Sequence, residues 1–331
     1  MQDQFYTKLI SIAKIATIVV STVAVILAFI LYQTSESSEQ RIVAITQIAQ
    51  HPSLDQIRQG IMDELAEQGL TKAKKIKIIY ENAQGNITTA VQIAQKFAGL
   101  DPEVIVGITT PSAQTIHAAL RGKDIPLVFS AVTDPIGANL IKDLDHPNDD
   151  ITGTIDLPPI KQQLALLKSI SPNLKKIGVI YNPGEINSLK QIEKLDTMAR
   201  KEGIEIIKAP AFKSNEVYGA ASKLVGNVDA IYLPNDNTVA AALDSVVRVA
   251  NEYKIPTLAS DDQSVKHGIL ASLANNQYQV GRETGKLVAR ILHGESAKKM
   301  PVVVSNTPAV AFNELTAKRL KIDINRIRDP E

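Results

Sequence analysis

Polar side chains collect directly after the short apolar runs of this chain, where they could bind a small charged molecule. The segment 181–188, YNPGEINS, follows the apolar run KKIGVI and precedes a stretch with helical spacing. A turn into a helix needs one capping side chain, whereas this segment supplies several. The candidate ligand-binding residues of the whole chain are Gln47, His51, Thr109, Thr110, Ser112, Asp134, Asn182, Glu185, Asn187, Ser188, Asn235, Asp236, Asn237 and Asp261.

The types of these residues favour a zwitterionic ligand. Pro111 and Pro234 stand at the start of helical stretches rich in small residues. The free N–H groups of a helix start and the helix dipole favour an anion such as a carboxylate, and the hydroxyls of Thr109, Thr110 and Ser112 would add donors. The carboxylates of Glu185, Asp236 and Asp261 could bind an ammonium group.

Each of these residues also has an ordinary structural explanation. Ser, Thr, Asn and Asp are preferred at helix N-caps, and Asp134-Pro135 and Asn182-Pro183 are common turn starters. His51 before Pro52 is also a typical turn residue. The functional interpretation therefore depends on the position that all the candidates share, at the ends of apolar runs.

The elements that must position the candidates alternate in type along the chain. Runs rich in Val and Ile are separated by amphipathic stretches, several of which end at Gly. This pattern predicts an α/β fold of doubly wound parallel sheets, whose ligands bind beyond the carboxyl ends of the strands. The predicted strands are 41–48, 74–80, 103–109, 126–132, 175–181, 204–209, 228–233, 255–260 and 268–273.

An internal repeat indicates two such lobes. SLDQI at 53–57 matches SLKQI at 188–192, and PSAQTIHAAL at 111–120 matches PNDNTVAAAL at 234–243. Both pairs occur in the same order after corresponding runs. The sequence therefore predicts two similar lobes with a ligand cleft between them.

Composition excludes several functional classes. Lys+Arg number 36 against 35 Asp+Glu, and aromatic residues make up 4%, so no nucleic-acid partner is expected. The chain has no Cys, which excludes disulfides and thiolate metal sites. There is no G-x-S-x-G motif, and the His residues are scattered, so no catalytic residue, metal or cofactor is predicted. GRETGK at 281–286 departs from a phosphate-binding loop, and its glycines fit a small face of a packed helix instead.

The N-terminal region predicts a membrane segment. Residues 15–32 carry no charge, follow Lys8 and Lys14, and precede a polar stretch. A helix of this length spans about 27 Å, close to a bilayer core of about 30 Å. An uncleaved transmembrane anchor is favoured over a cleaved signal peptide, and both place the rest of the chain in the periplasm or outside the cell.

In combination, the motifs ITQIAQHPSLDQIRQG, GITTPSAQ, VFSAVTDPIGANL, YNPGEINS, YLPNDNTV and GRETGKLVARIL resemble the ABC transporter substrate-binding proteins of the tryptophan/tyrosine-uptake type. The resemblance covers about residues 41–325. It implies a type I periplasmic-binding fold with three crossings between the lobes, a small ligand, and delivery to an ABC permease with its ATPase. It supports ligand roles for the loops 47–51, 109–112, 133–134, 182–188 and 235–238.

These arguments predict specific boundaries and a specific ligand class. Residues 1–34 form a cytoplasmic stub and the anchor, 35–156 with 275–304 form lobe one, and 157–274 with 305–331 form lobe two. The expected ligand is an amino acid with an aromatic or branched side chain. Four rings, Phe129, Tyr181, Tyr232 and Tyr278, could pack on an aromatic ligand. A membrane-tethered sensor of the same fold is the alternative, and an enzyme would need a demonstration of turnover.

Overall fold

The computed structural model describes residues 17, 20–26, 41–73, 76–145 and 150–327. It separates into two units, Met1–Arg41 and Ile42–Glu331. In the first unit, residue 17 and residues 20–26 are helical. Within the described parts of the chain, no helix is both long enough and apolar enough to cross a bilayer. Most of the predicted anchor, 15–32, lies outside the described residues.

The second unit alternates strands and helices. The strands are β1 (Ile42–Gln47), β2 (Lys77–Asn82), β3 (Val104–Ile108), β4 (Leu127–Val132), β5 (Ile151–Asp156), β6 (Lys176–Tyr181), β7 (Glu205–Pro210), β8 (Ala230–Leu233), β9 (Thr257–Ala259), β10 (Ala271–Asn275), β11 (Val303–Ser305) and β12 (Pro308–Phe312). The α-helices are α1 (Pro52–Glu67), α2 (Leu70–Ala73), α3 (Ile87–Gly99), α4 (Thr110–Ala119), α5 (Ile160–Ile170), α6 (Ile186–Lys201), α7 (Val217–Leu224), α8 (Asn237–Ala240), α9 (Leu243–Tyr253), α10 (Gln277–Leu292) and α11 (Glu314–Leu320). Short 3-10 turns occur at Ser214–Glu216, Ser264–His267, Ala297–Lys299 and Ile324–Arg326.

The strands form two separate sheets, which confirms the predicted α/β fold with two lobes. Lobe one has the strand order β11-β5-β4-β3-β1-β2, and lobe two has the order β12-β10-β9-β8-β6-β7. All pairs are parallel except β10 with β12. In the described chain, the path passes between the sheets after β5, after β10 and after β11.

Burial explains why these runs form inner strands. Every residue of β3 is buried, as is every residue of β5 and β10. Parallel strands that helices cover on both faces are buried along their whole length in this way, and the residues of β3 are accordingly apolar. Asparagine side chains cap the following helices, for example Asn86 at α3 and Asn276 at α10. Each lobe therefore offers a rigid edge of strand ends on which polar loops can be held.

Candidate functional site

A cavity of about 50 Å³, partly open to solvent, lies between the carboxyl ends of the strands of the two lobes. Residues from both lobes line it: His51, Ser53, Leu54, Thr109, Thr110, Ala131, Thr133, Asp156, Asn187, Asn235, Asp236, Asn237, Ala240, Asp261 and Gln277.

The start of α4 provides one wall of the cavity. The backbone of Thr109 has φ +75° and ψ +164°, a conformation that non-glycine residues rarely adopt. Its N–H donates to the carbonyl of Ser130 at 2.8 Å, and its carbonyl accepts from Ala113 at 3.0 Å, so the surroundings hold it there. Such backbone strain is found at ligand clamps.

Several buried hydroxyls at this wall have no hydrogen-bond partner among the described residues. They are the side-chain oxygens of Thr109, Thr110 and Ser112, and the Thr110 side chain is only 1% exposed. Buried polar atoms are almost always satisfied in folded proteins. The first N–H groups of a helix also lack partners within the helix. The wall is therefore a set of donors suited to an anion.

The end of β4 also has an unusual backbone conformation. Ala131 has φ +54°, and the pairing register between β4 and β5 shifts at this point. The N–H of Ala131 donates to Oγ1 of Thr154 at 3.3 Å, and the hydroxyls of Thr154 and Thr284 lie 2.8 Å apart. A buried hydroxyl network thus fixes Ala131 as part of the cavity wall.

The two lobes contact each other across the cavity. The hydroxyl of Ser53 in lobe one donates to Oδ1 of Asp261 in lobe two at 2.7 Å. His51 lies beside this contact, and burial lowers the pKa of its imidazole, although the nearby Asp261 and Asp55 carboxylates act in the opposite direction. His51 is therefore favoured as a neutral ring. The hydrogen bond between lobes shows that the cleft is closed.

A buried polar network supports the lobe-two wall. Oε1 of Gln191 accepts the N–H of Asn235 at 2.9 Å, and Nε2 of Gln191 donates to the hydroxyls of Tyr232 and Ser260. Tyr232 in turn donates to Gln163 at 2.7 Å. This network fixes the loop after β8, which carries three cavity residues, Asn235–Asn237.

Carboxylates dominate the charge of the cavity. Asp156, Asp236 and Asp261 line it, and no lysine or arginine is among the described lining residues. Burial raises the pKa of Asp156. Burial, followed by the nearby Glu185 carboxylate, raises the pKa of Asp236 to about 7. Both shifts favour the protonated carboxyl, and a cationic ligand group would oppose them by stabilising the charged form.

Glu185 does not face the cavity. Its two oxygens accept from the backbone N–H groups of Asn237 and Thr238, from both of their side chains, and from Asn187, at 2.6–3.1 Å. The carboxylate thus holds the first turn of α8, whose own N-cap is Asp236. Asn187 donates to Glu185 and to the carbonyl of Asn235, which leaves its Oδ1 without a partner.

The structure brings part of the predicted set together. The predicted residues that line the cavity are His51, Thr109, Thr110, Asn187, Asn235, Asp236, Asn237 and Asp261. The predicted residues outside the lining are Gln47, Ser112, Asp134, Asn182, Glu185 and Ser188.

Those outside the lining have local partners or lie behind the wall. Gln47 donates to Ala49 and Asp55, Asp134 accepts from the N–H of Gly137, and Asn182 donates to Thr238. Their ligand roles stay predictions.

The candidate list omits several residues that line the cavity. Asp156 is the last residue of the run ITGTID, and this position is the only feature of the sequence that could have indicated a role in the site. Ser53 belongs to the internal repeat, whereas nothing in the pattern distinguished Gln277. None of the four rings that could pack on an aromatic ligand is among the lining residues. Phe129 and Tyr232 are fully buried in the lobe cores.

The comparisons with known proteins agree with this architecture. The family model described as ABC transporter substrate binding protein matches residues 42–327. A tyrosine-binding protein of Clostridioides difficile is 38% identical over 86% of this chain and 82% of its own length.

Two solved structures differ in how well they superpose on this chain. The Streptococcus pneumonia ABC domain in complex with L-Trp is 36% identical, with TM-score 0.81, covering 85% of this chain and 96% of its own. A ligand-free, open substrate-binding protein with adhesive properties from Clostridium difficile is 38% identical, with TM-score 0.65, covering 86% and 95%. The lower similarity to the open structure agrees with the closed cleft. The chain belongs to the family of ABC transporter substrate-binding proteins.

Proposed function

We propose that this chain is the extracytoplasmic solute-binding component of an ABC importer and that its ligand is an L-α-amino acid with an aromatic or branched side chain. One observation carries the proposal: unpartnered buried hydroxyls at the start of α4 and uncompensated carboxylates line the same closed cavity. The first group suits a carboxylate and the second an ammonium. A neutral sugar could form hydrogen bonds with both groups but would leave the charge of the carboxylates uncompensated.

The lining also suggests how the ligand side chain is held. Leu54, Ala131 and Ala240 provide apolar surface, and the neutral ring of His51 lies with them in the lining. The relatives named above bind tyrosine or carry L-Trp, which supports an aromatic ligand here. In this chain, the contacts to the ligand side chain would be mainly aliphatic.

The partners follow from the family. A substrate-binding protein of this kind delivers its ligand to a permease that an ATPase drives, and we propose both as partners. The closed and open forms of the lobes would then be the states that the permease distinguishes.

A thermal-shift panel on the purified protein tests the ligand. We expect L-tyrosine, L-tryptophan or a branched L-amino acid to raise the melting temperature, because a ligand that binds only the native state stabilises it by about 2.7 kcal/mol at a hundredfold excess over Kd. Glucose and myo-inositol should have no effect. Stabilisation by a sugar and by no amino acid would contradict the proposal.

A matched pair of variants tests the wall at α4. Thr110→Val removes a buried hydroxyl that has no protein partner and keeps the shape of the side chain. Its calorimetric affinity for the amino acid should fall about tenfold to a hundredfold, the cost of a hydrogen bond to a charged group. Thr88→Val, on the exposed face of α3, is the control and should bind as the parent does.

We also propose that residues 15–32 anchor the protein in the cytoplasmic membrane with the binding domain outside. The support is the long uncharged run after Lys8 and Lys14. The protein made in its native host should keep its N-terminal residues by intact-mass measurement and should sediment with membranes. A soluble product beginning near Ser38 would show that the segment is a cleaved signal.

A further inference from the structure

A carboxylate and an amide that is hydrogen-bonded to it connect all three crossings between the lobes. Asp156 ends β5 at the first crossing, and its Oδ1 accepts from Nδ2 of Asn275, at the second crossing, at 2.8 Å. Its Oδ2 accepts from Nε2 of Gln277 at 3.0 Å. Oδ1 of Asn275 accepts the N–H of Thr307, in the third crossing, at 2.9 Å. The hinge segments are therefore linked through two buried side chains, Asp156 and Asn275.

Asp156 also lines the ligand cavity, where its charge is not compensated. Among the described residues, its carboxylate accepts hydrogen bonds from three neutral side-chain amides. Two are those of Asn275 and Gln277, and the third is that of Asn235 of lobe two, at 3.3 Å. The charged groups that face it, Asp261 and Asp262, are also acidic. Burying an unpaired carboxylate is costly, so a cation in the cavity would be strongly favoured here.

The other carboxylates of the cavity already have structural functions. Oδ1 of Asp261 accepts from Ser53 and from the backbone N–H groups of Gln263 and Ser264. Asp236 is the N-cap of α8 and also accepts the N–H of Asn182. Asp156, by contrast, caps no helix, and its described partners are side-chain amides.

The strand order places Asp156 at a suitable distance from the anion-binding wall. β5 and β3 are separated by β4, so their ends lie about 10 Å apart, or two strand spacings. Asp156 and the start of α4 therefore lie along the same edge of the lobe-one sheet, and both line the cavity, so one small ligand with an ammonium and a carboxylate on the same carbon could contact both.

We infer that Asp156 receives the ammonium group of the ligand and that, through its links to the crossings, this contact favours closure of the lobes. The inference rests on the proposed function, because it assumes an amino acid in the cavity. Asp156 would then have two functions. It would select ligands that carry an ammonium group, and its contact with the bound ligand would favour closure at the hinge.

The test compares two ligands in two charge variants. The L-amino acid that most stabilises the parent protein is titrated beside its desamino analogue, which for L-tyrosine is 3-(4-hydroxyphenyl)propanoate. In Asp156→Asn, affinity for the amino acid should fall about tenfold to a hundredfold while affinity for the analogue stays the same. Asp124→Asn removes an exposed charge outside the lining and should leave both affinities unchanged.

Closure is measured by small-angle X-ray scattering on the same proteins. The amino acid should reduce the radius of gyration of the parent protein, whereas the analogue should not. Asn275→Ala keeps the carboxylate but removes its link to the crossings. It should retain the preference for the amino acid over the analogue and lose ligand-induced compaction.

The outcomes separate this inference from the proposed function. If the parent binds no amino acid, the proposed function fails. If the parent binds one and Asp156→Asn loses no more affinity for the amino acid than for the analogue, the inference fails and the function stands. Compaction of Asn275→Ala equal to that of the parent would overturn the link to the hinge. Thermal melts of each variant identify any protein that does not fold, and Asn275→Ala then still tests the hinge.

Discussion

Gly281→Ala is expected to destabilise the protein by about 3 kcal/mol or more, near the upper end of the usual cost of overpacking. α1 and α10 pack so closely that a Cβ on Gly281 would lie 2.1 Å from the carbonyl oxygen of Ile57. A Cβ on Gly60, on the facing helix, would lie 2.2 Å from the carbonyl oxygen of Tyr278. Both obstacles are backbone atoms, so the clash is relieved only by moving one helix away from the other.

Urea or thermal unfolding measures this effect, and Gly219→Ala is the matched control. Gly219 lies on the exposed face of α7, and a Cβ there would meet nothing within 4 Å. Alanine at such a helix position should stabilise the protein by about 0.5–1 kcal/mol. If Gly281→Ala unfolds like the parent protein, close packing of α1 and α10 is not a requirement of the fold.

This helix contact also positions the site. α1 begins directly after His51 and carries Ser53 and Leu54, whereas α10 begins with Gln277. Arg282 of α10 donates to Glu64 of α1 at 2.7 Å, which adds an ion pair to the packed faces. A shift of either helix would therefore move cavity residues, so ligand affinity of Gly281→Ala should fall together with its stability.

Local patterns predicted most of the fold. The predicted strand 103–109 is β3 at Val104–Ile108, and 126–132 is β4 at Leu127–Val132. Such runs could be located because apolar β-branched residues have few alternatives to a buried strand. The predicted strands do not include β5, β11 or β12. β12 begins with Pro308 and pairs antiparallel at the edge of a sheet, a position where proline is tolerated.

The site was harder to predict because the direction of a side chain depends on distant segments. Polar residues at strand ends identified the correct edge of each lobe. Whether Glu185 faces the ligand or the helix start at Asn237 depends on a segment about fifty residues further along the chain. Asp156 ends a run that is not among the predicted strands, and its burial at the end of β5 is known only from the structure.

Glu185 provides the second large expected effect. Glu185→Ala should lower the free energy of unfolding by about 3 kcal/mol or more, because it leaves the buried N–H groups of Asn237 and Thr238 without their charged acceptor. Ligand affinity of the folded protein should change much less, since the carboxylate is outside the cavity lining. Glu193→Gln, on the exposed face of the same helix, is the control and should be near neutral.

Glu185→Gln adds a test by pH. The pKa of Asp236 is raised to about 7 in the folded protein, from about 3.9 when unfolded, so the folded state binds a proton more tightly. The resulting contribution to the free energy of unfolding is fully present at a pH below about 3.9. That contribution is lost as the pH rises towards 7, with a slope of up to about 1.4 kcal/mol per pH unit. Glu185→Gln removes the repulsion that helps to raise this pKa, so the loss should end at a lower pH. Melting curves from pH 4 to 8, compared between the parent and this variant, would show the difference. Unchanged stability at every pH with a large loss of affinity would instead make Glu185 a ligand-binding residue.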